Sequence, residues 1–180
     1  MQPPRLLSTS RLVLRKPDFR DAEGLFNAYT SDPEVPYFTS WVVHTTIAET
    51  ETFVRRCIEN WDEKTSFEYI IERKDDPGNP IGAIGMYPQG HSVNFGYVLA
   101  KRFWNRGMTS EALSKLIDWS LRQTSVFRAQ AFCDFDNVAS ARVMEKSGMT
   151  FEGVLKRYFV HPNISDEPRD VRMYAKVVPS

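Results

Sequence analysis

Residues 95–121, FGYVLAKRFWNRGMTSEALSKLIDWSL, join an apolar strand to an amphipathic helix through a loop that contains Gly107. The helix is indicated by apolar side chains at helical spacing on one face: Leu113, Leu116, Ile117 and Leu121. A helix that begins there directs its unpaired backbone N–H groups and its partial positive charge to one point, which favours phosphate binding. An ordinary strand-to-helix turn, with glycine present for its dihedral freedom, would have the same pattern.

The residues before this segment predict a strand, two helices and an antiparallel meander. Residues 11–16 alternate as a strand, and Asp18 is the expected cap of a helix that carries Ala22, Leu25, Phe26 and Tyr29. Thr46 and Glu49 form a capping box for a second helix, with a buried stripe of Ile47, Val54, Cys57, Ile58 and Trp61. The runs SFEYIIER, IGAIGMY and SVNFGYVLA are separated by the turn signals KDDPGNP and Pro88-Gln89-Gly90.

The residues after residue 121 complete a single domain. FRAQAFCDF predicts a strand, and a short helix follows from about Val138 to Ser147, capped by Asp136 or Asn137 and ended by Gly148. MTFEGVLKRYFV and RDVRMYAKVV predict two final strands. The order β-α-α-β-β-β-α-β-α-β-β predicts one α+β domain over residues 1–180, with a mixed, mostly antiparallel central sheet flanked by helices.

Composition excludes several classes of function. Lys and Arg total 23, as do Asp and Glu, so the formal net charge of zero argues against a nucleic-acid partner but leaves room for a local basic groove. Cys57 and Cys133 form no CxxC or Cys/His cluster, so we expect no metal site and buried free thiols, although a disulfide stays open. No apolar run is long enough for a signal peptide or a membrane span. We therefore expect a cytoplasmic protein with no membrane partner.

Two common nucleotide motifs are missing from the sequence. There is no GxxxxGK[ST], which excludes a P-loop NTPase, and no GxGxxG, which argues against a Rossmann domain. The segment GYVLAKRFWNRGMTSEAL instead resembles the acetyl-CoA motif of the GNAT N-acetyltransferase superfamily, in particular its RimJ/RimL-like branch. The residues that match in register are Gly96, Tyr97, Leu99, Trp104, Gly107, Ser110, Glu111 and Ala112. Thr109 stands where the superfamily usually has glycine or alanine.

A second block, NVASARVMEKSGMTFEGVLKR, resembles the later motif of the same branch, so the resemblance covers nearly the whole chain. Its matching residues are Asn137, Ser140, Glu145, Lys146, Gly148, Glu152 and Gly153. The resemblance implies an acetyl-CoA co-substrate, with no metal, whose pyrophosphate lies at the Gly107 loop and whose pantetheine pairs with the preceding strand. The residues expected to bind it are Tyr97, Val98, Leu99, Trp104, Asn105, Arg106, Gly107, Met108, Thr109, Ser110, Asn137 and Ser140.

The resemblance also names a candidate catalytic residue. Ser140 is expected to protonate, or hydrogen-bond, the departing thiolate, unless it is only a small residue in the first turn of a helix. Asn137 would bond the pantetheine amides, cap the helix, or both. The general base is unassigned, because Asn94 stands where relatives often carry glutamate. Glu68, His91 and Asp134 are the alternatives, each of which is otherwise an ordinary surface or sheet residue.

The resemblance implies transfer of an acetyl group to a primary amine by direct attack. A peptide or protein N-terminal α-amine is favoured, and a polyamine, an amino sugar or another small amine also fits. The acceptor pocket is expected between the early helices and residues 37–44, with Trp41 as a wall. The alternative is a non-catalytic acyl-CoA-binding module, which Asn94 favours and which Ser140 and Asn137 oppose. A homodimer is left open.

Overall fold

The computed structural model describes residues 1–178, which form one eight-stranded sheet with helices on both faces. The strands are β1 (Leu6–Ser8), β2 (Leu12–Arg15), β3 (Phe67–Arg73), β4 (Asp76–Gln89), β5 (Ser92–Leu99), β6 (Arg128–Asp134), β7 (Thr150–Phe159) and β8 (Arg169–Val177). The α-helices are α1 (Asp21–Leu25), α2 (Ile47–Glu63), α3 (Met108–Ser120) and α4 (Val138–Lys146). A π-helical turn (Phe26–Thr30) and two 3-10 turns (Val35–Phe38 and Lys101–Phe103) complete the regular structure. The predicted α+β class is confirmed, and so is the order of the predicted elements, to which the structure adds β1 at the start.

The strand order is β1-β2-β3-β4-β5-β6-β8-β7, and β5 and β6 are its parallel neighbours. Their pairing covers Ser92–Asn94 of β5 and Arg128–Gln130 of β6 and then stops, although both strands continue. We call the gap between residues 95–99 and residues 131–134 the splay. It leaves the two facing strand edges without a partner strand, on the side where β5 leads to the Gly107 loop.

The two faces of the sheet carry different helices. On one face, Val93, Phe95 and Leu99 of β5 are buried in the core together with Leu113, Leu116 and Ile117 of α3. The side chain of Tyr97 lies on this same face and contacts α4. On the other face, Arg15 of β2 is hydrogen-bonded to Asp21 of α1 and to Glu72 of β3. We call these the α3/α4 face and the α1/α2 face.

Helix α2 begins as predicted, with a capping box. The carboxylate of Glu49 accepts the backbone N–H groups of Thr45 and Thr46, at 2.6 and 3.0 Å. The buried stripe differs from the prediction at its first turn. Ile47 is 41% exposed, and Thr50 is buried instead, with its hydroxyl 2.8 Å from that of Thr30. Ile47 therefore lies beyond the edge of the core.

The other departures from the prediction lie at segment boundaries. Helix α1 begins at Asp21 rather than directly after Asp18, and Asp18 accepts the Arg20 N–H at 3.0 Å. Strand β4 spans Asp76–Gln89, so most of KDDPGNP and the Pro88-Gln89 pair are extended rather than turned. Pairing with β3 and β5 overrides the local preference of proline and glycine there. Strand β1 was not predicted.

The two cysteines agree with the prediction. Both Cys57 and Cys133 are free and buried. Among residues 1–178, none of the helices is long and apolar enough to cross a membrane.

Candidate active site

The C-terminal half of β5 presents backbone groups to the splay. The Ala100 N–H donates to the Ile81 carbonyl at 2.8 Å, on the β4 side. Because backbone groups alternate along a strand, those of Tyr97 and Leu99 point away from β4 and toward β6. The Val98 backbone faces β4. The splay thus offers a peptide-like edge at Tyr97 and Leu99.

The connection from β5 to α3 is tied back to the strand by Trp104. Its indole N–H donates to the Leu99 carbonyl at 2.6 Å, which takes up one of the splay-facing acceptors. Asn105 and Gly107 both have positive φ, at 59° and 71°. Gly107 is the N-cap of α3, and no side chain caps the helix there. Its left-handed conformation is one that a β-branched residue rarely adopts, so glycine is required by the turn itself.

The first turn of α3 has free N–H groups. The first helical hydrogen bond runs from the Glu111 N–H to the Gly107 carbonyl at 3.1 Å, so the N–H groups of Met108, Thr109 and Ser110 have no helical acceptor. The Met108 and Ser110 side chains are buried. Neither Thr109 nor Ser110 caps the helix, because the cap position belongs to Gly107. These residues therefore offer backbone donors rather than side chains.

Arg11 joins this loop, and the sequence analysis missed it. Its guanidinium bonds the Glu111 carboxylate at 2.7 Å and the Arg106 carbonyl at 3.0 Å, and it lies 3.8 Å from the position of a Cβ on Gly107. Burial opposes ionisation of Glu111, but hydrogen bonds from Thr9, Arg11 and Ser10 outweigh it and lower its pKa to about 2. Nothing local in the sequence links residues 100 positions apart.

A basic cluster flanks the loop despite the zero net charge of the chain. The guanidinium carbons of Arg102, Arg73 and Arg106 lie 5.1, 5.7 and 5.7 Å from the ring centroid of Phe103. Cation–π contacts with the Phe103 ring hold these three cations together in the segment that leads to α3. Positive charge is therefore concentrated locally in a chain of zero net charge.

On the other side of the splay, α4 presents Ser140 to β5. The Asn137 side chain accepts the Ser140 N–H at 3.0 Å and so caps α4, as predicted. Ser140 Oγ lies 2.8 Å from Tyr97 Oη, and the same phenol donates to the Ser140 carbonyl at 3.1 Å. Burial raises the pKa of Tyr97, which keeps the phenol neutral. Burial also raises the pKa of the Cys133 thiol to about 11, consistent with a core residue rather than a nucleophile.

The candidate bases lie in different places. Asn94 accepts from Gln130 at 2.7 Å and donates to Gln89 at 3.1 Å. Asp134 is fully buried, and although burial opposes its ionisation, hydrogen bonds from Arg169 and the Asp136 N–H lower its pKa. His91 lies at the start of β5, away from the splay. Glu68 is buried on the α1/α2 face.

Residues 37–44, where the acceptor pocket was expected, pack as an aromatic group. The Trp41 ring lies 6.2 Å from that of Tyr29 and 5.4 Å from that of His44. The Asn163 side-chain amide donates to the carbonyls of Pro36 and Trp41 at 2.6 and 2.8 Å, which ties this segment to the β7–β8 connection. Trp41 is half-buried, so it both packs and presents a surface.

Among residues 1–178, no group of three or more His, Cys, Asp or Glu side chains is arranged to hold a metal ion.

Comparison with known proteins identifies the fold. Residues 11–150 match the family model described as Acetyltransferase (GNAT) domain. The "Uncharacterized N-acetyltransferase YoaA" of Bacillus subtilis (strain 168) is 30% identical over 180 residues, which cover 97% of each chain. The crystal structure of a GNAT-family acetyltransferase from Bacillus anthracis superposes with a TM-score of 0.81, at 28% identity over 96% of this chain and 98% of that one.

A third comparison concerns the RimJ/RimL-like branch. RimL, a ribosomal L7/L12 alpha-N-protein acetyltransferase whose structure was solved with coenzyme A, superposes with a TM-score of 0.82. The identity is 22%, over 96% of this chain and 98% of that one, so this likeness is one of fold. The family model and the Bacillus relatives confirm the resemblance that the sequence motifs carried. The chain belongs to the GNAT acetyltransferase family.

Proposed function

We propose that the protein is an acetyl-CoA-dependent N-acetyltransferase that moves the acetyl group to a primary amine by direct attack. The observation that carries this proposal is the splay. The free N–H groups of α3 lie at the end of it next to the Gly107 loop, which we call its mouth, and the Ser140–Tyr97 pair lies on its α4 side. Acyl transfer needs a bound thioester, a polarised carbonyl and a proton for the leaving thiolate. The arrangement supports each of these.

The mouth of the splay suits the phosphates of coenzyme A. The N–H groups of Met108, Thr109 and Ser110 and the N-terminal dipole of α3 favour an anion there. The basic cluster adds positive charge beside the loop, and the exposed side chain of Arg106 is placed for charge-assisted hydrogen bonds. Asn105 and Trp104 shape the loop. The proposed coenzyme site therefore keeps all the residues expected from the motif and adds Arg11.

The edge of β5 suits the pantetheine arm. The Tyr97 backbone and the Leu99 N–H face the splay and would pair with the pantetheine amides as an added strand does. Val98 would contribute its side chain, because its backbone faces β4. The Asn137 side-chain oxygen is bound to the Ser140 N–H, which leaves its amide nitrogen to donate. One backbone N–H of the strand would polarise the acetyl carbonyl.

Ser140 would complete the chemistry on the thiol side. As the amine attacks the acetyl carbon, the C–S bond breaks and the sulfur takes up negative charge. The single proton of the Tyr97 phenol can go to the Ser140 carbonyl or to Ser140 Oγ. When the phenol donates to Oγ, the Ser140 hydroxyl proton is free to turn toward that sulfur. When the thiol has formed, Ser140 is reprotonated through Tyr97, and the proton that the amine has released restores the phenol by way of solvent.

The acceptor is assigned here as a primary amine, with a peptide or protein N-terminal α-amine as the finer proposal. RimL carries the description of an alpha-N-protein acetyltransferase, which supports this class of acceptor. Asn94 supports it too, because an amine of lower pKa needs less help from a base at that position. A screen over panels of peptides and small amines, which follows release of the CoA thiol from acetyl-CoA, tests whether the acceptor is a primary amine and whether it is an N-terminal α-amine.

A non-catalytic acyl-CoA-binding module is the second candidate, and Asn94 is the observation that favours it. Such a module would bind acetyl-CoA and release no CoA thiol above the hydrolysis background with any acceptor in the screen. Turnover with any amine excludes it.

Three further expectations stay predictions. We propose that residues 1–180 form one acetyltransferase domain, since β7 and β8 lie beyond the matched residues 11–150 and continue the same sheet. A homodimer, which light scattering measures, is compatible with the edge strand β7, where Phe151, Leu155 and Tyr158 are exposed. The cytoplasmic location rests on the sequence alone.

A further inference from the structure

One row of residues on the α1/α2 face crosses three strands toward the splay. Glu68 of β3 is paired with Gly85 of β4, and Gly85 is paired with Gly96 of β5. Tyr87 lies two residues beyond Gly85, on the same face. The row therefore leads from a carboxylate, over two glycines, to the edge of β5 where the pantetheine would lie.

The ring of Tyr87 fills the space that the glycines leave. A Cβ on Gly85 would collide with the Tyr87 phenol, and a Cβ on Gly96 would lie 3.5 Å from Tyr87 Cε2. The ring leans back along β4, between Glu68 and β5. Tyr87 is nevertheless 41% exposed, so part of it faces open space on this side of the sheet.

Glu68 is reached from that space through Tyr87. The carboxylate is buried, with a residue exposure of 8%. It accepts a hydrogen bond from Ser66 Oγ at 3.1 Å. The Tyr87 hydroxyl lies over Gly85, the residue of β4 that is paired with Glu68, and so stands beside this carboxylate. A buried carboxylate beside the phenol of a partly exposed tyrosine offers two successive acceptors for a proton.

We propose that Tyr87 and Glu68 form a relay that removes the proton from the acceptor amine during acetyl transfer. The N–H proton of the attacking amine moves to Tyr87 Oη as the C–N bond forms, and the phenol proton moves to the Glu68 carboxylate. Glu68 later returns the proton to solvent through the same route. Tyr87 is the catalytic residue of the pair and Glu68 its positioning partner. This inference rests on the proposed function and supplies the base that Asn94 lacks.

The side from which the amine arrives follows from packing. The α3/α4 face beside β5 is filled by Phe95, Leu99 and the Tyr97–Ser140 pair. On the α1/α2 face, Gly96 has no side chain and is partly exposed. An amine that reaches the splay from this face would pass over Gly96 beside Tyr87. The amine and the thiol-side hydroxyl of Ser140 would then lie on opposite sides of the thioester.

The electrostatic surroundings suit a base that works near neutral pH. Burial raises the pKa of Glu68, although hydrogen bonds from Tyr87 and Ser66 partly offset this effect. From α2, Arg56 weakly favours the charged form of Glu68, and Cys57 faces the pair as a neutral thiol whose own pKa is raised by burial. A carboxylate of raised pKa accepts a proton more readily than an ordinary one.

The experiment compares kcat, KM and acetyl-CoA affinity of the wild type, Tyr87→Phe and Glu68→Gln from pH 6 to 10 with a peptide α-amine. We expect a loss in kcat of ~100-fold or more near neutrality in both variants, with the acetyl-CoA Kd unchanged. The loss should shrink as the pH rises, since hydroxide can then take the amine proton without the relay. Glu68→Asp should regain part of the activity. Matched controls are Glu59→Gln on the exposed side of α2 and Tyr69→Phe, whose hydroxyl donates to the Pro4 carbonyl.

Three outcomes of this experiment would overturn the relay. Near-normal kcat at pH 7 in folded Tyr87→Phe and Glu68→Gln, while the wild type turns over, overturns the relay and leaves the proposed function standing. A loss that is equal at every pH, with a lowered Tm, also overturns it, because that is the signature of a structural role. A wild type that binds acetyl-CoA without turnover on any amine overturns the proposed function and the relay together.

Discussion

Tyr97 Oη lies 2.8 Å from Ser140 Oγ, and this hydrogen bond joins β5 to α4 beside the splay. The two residues lie 43 positions apart in the chain, on elements that flank the proposed path of the thioester. The hydrogen bond fixes the position of the Ser140 hydroxyl and keeps the neutral Tyr97 phenol next to it. The pair therefore allows a sharp test of the thiol side of the reaction.

Ser140→Ala should lower kcat by ~100- to 10,000-fold while the acetyl-CoA Kd changes little. The hydroxyl matters most when charge develops on the departing sulfur, so its loss belongs in kcat. Tyr97→Phe should cost less, because Ser140 keeps its own proton. Steady-state kinetics and calorimetry on the same preparations measure both effects. Near-normal kcat in Ser140→Ala would leave this serine as a residue of the first helical turn.

Gly107→Val should abolish most of the acetyl-CoA affinity. Its φ of 71° is strained for a β-branched residue, and the new side chain would stand beside Arg11 at the mouth of the splay. The matched control is Gly90→Val, because Gly90 also has positive φ, at 57°, with open space around it, in the β4–β5 turn. Equal affinities of the two folded variants in calorimetry would place the phosphate site elsewhere.

Acetyl-CoA should stabilise the wild-type fold. Ligand at about 100 times its Kd adds roughly 2.7 kcal/mol to the free energy of unfolding by mass action. A rise in Tm that grows with acetyl-CoA concentration is the expected result of thermal unfolding. Absence of binding at millimolar acetyl-CoA, in calorimetry, would contradict the whole functional proposal.

The free energy of unfolding should fall in acid, partly because the Glu111 carboxylate becomes protonated. Its pKa is lowered in the folded state to about 2 from 4.5, so its stabilising contribution is complete above the unfolded value. That contribution is lost as the pH falls from about 4.5 to about 2. Arg11→Gln removes one of the groups that hold the carboxylate, so the free energy of unfolding should depend less on pH in this window. Urea unfolding from pH 6 to pH 2 measures the slope, and an unchanged slope in Arg11→Gln argues against the coupling.

Peptide α-amines should be acetylated faster than lysine side chains at pH 7. An α-amine has a pKa of about 8 and a lysine side chain one of about 10.4, so a larger fraction of the α-amine is neutral. The comparison uses one peptide sequence with either its N-terminus or its lysine blocked. Faster acetylation of the lysine would contradict the reasoning from Asn94.

Local signals predicted the parts of the fold that depend on neighbouring residues. The Thr46–Glu49 capping box, the Asn137 cap of α4 and the left-handed Gly107 and Gly148 need only groups within three or four positions, so they are legible in the sequence. The motifs around Gly107 and Ser140 also indicate the family from the sequence alone. The turn predicted for KDDPGNP is confined to Lys74 and Asp75, because Asp76 and Pro80 pair with β3 and extend β4.

The sequence by itself determined the order of the elements from β2 onward, the family and the two ends of the proposed coenzyme path. Only the tertiary structure decided which side chains meet. Arg11 reaches Glu111 across 100 positions, Tyr97 reaches Ser140, and Tyr87 reaches Glu68 over the space above two glycines. Such contacts depend on strand register and on helix packing across the sheet, and neither leaves a periodic signal along the chain. The sequence therefore shows only that residue 94 is an asparagine, where relatives often carry a glutamate. The fold shows that the buried carboxylate of Glu68 lies two strands away.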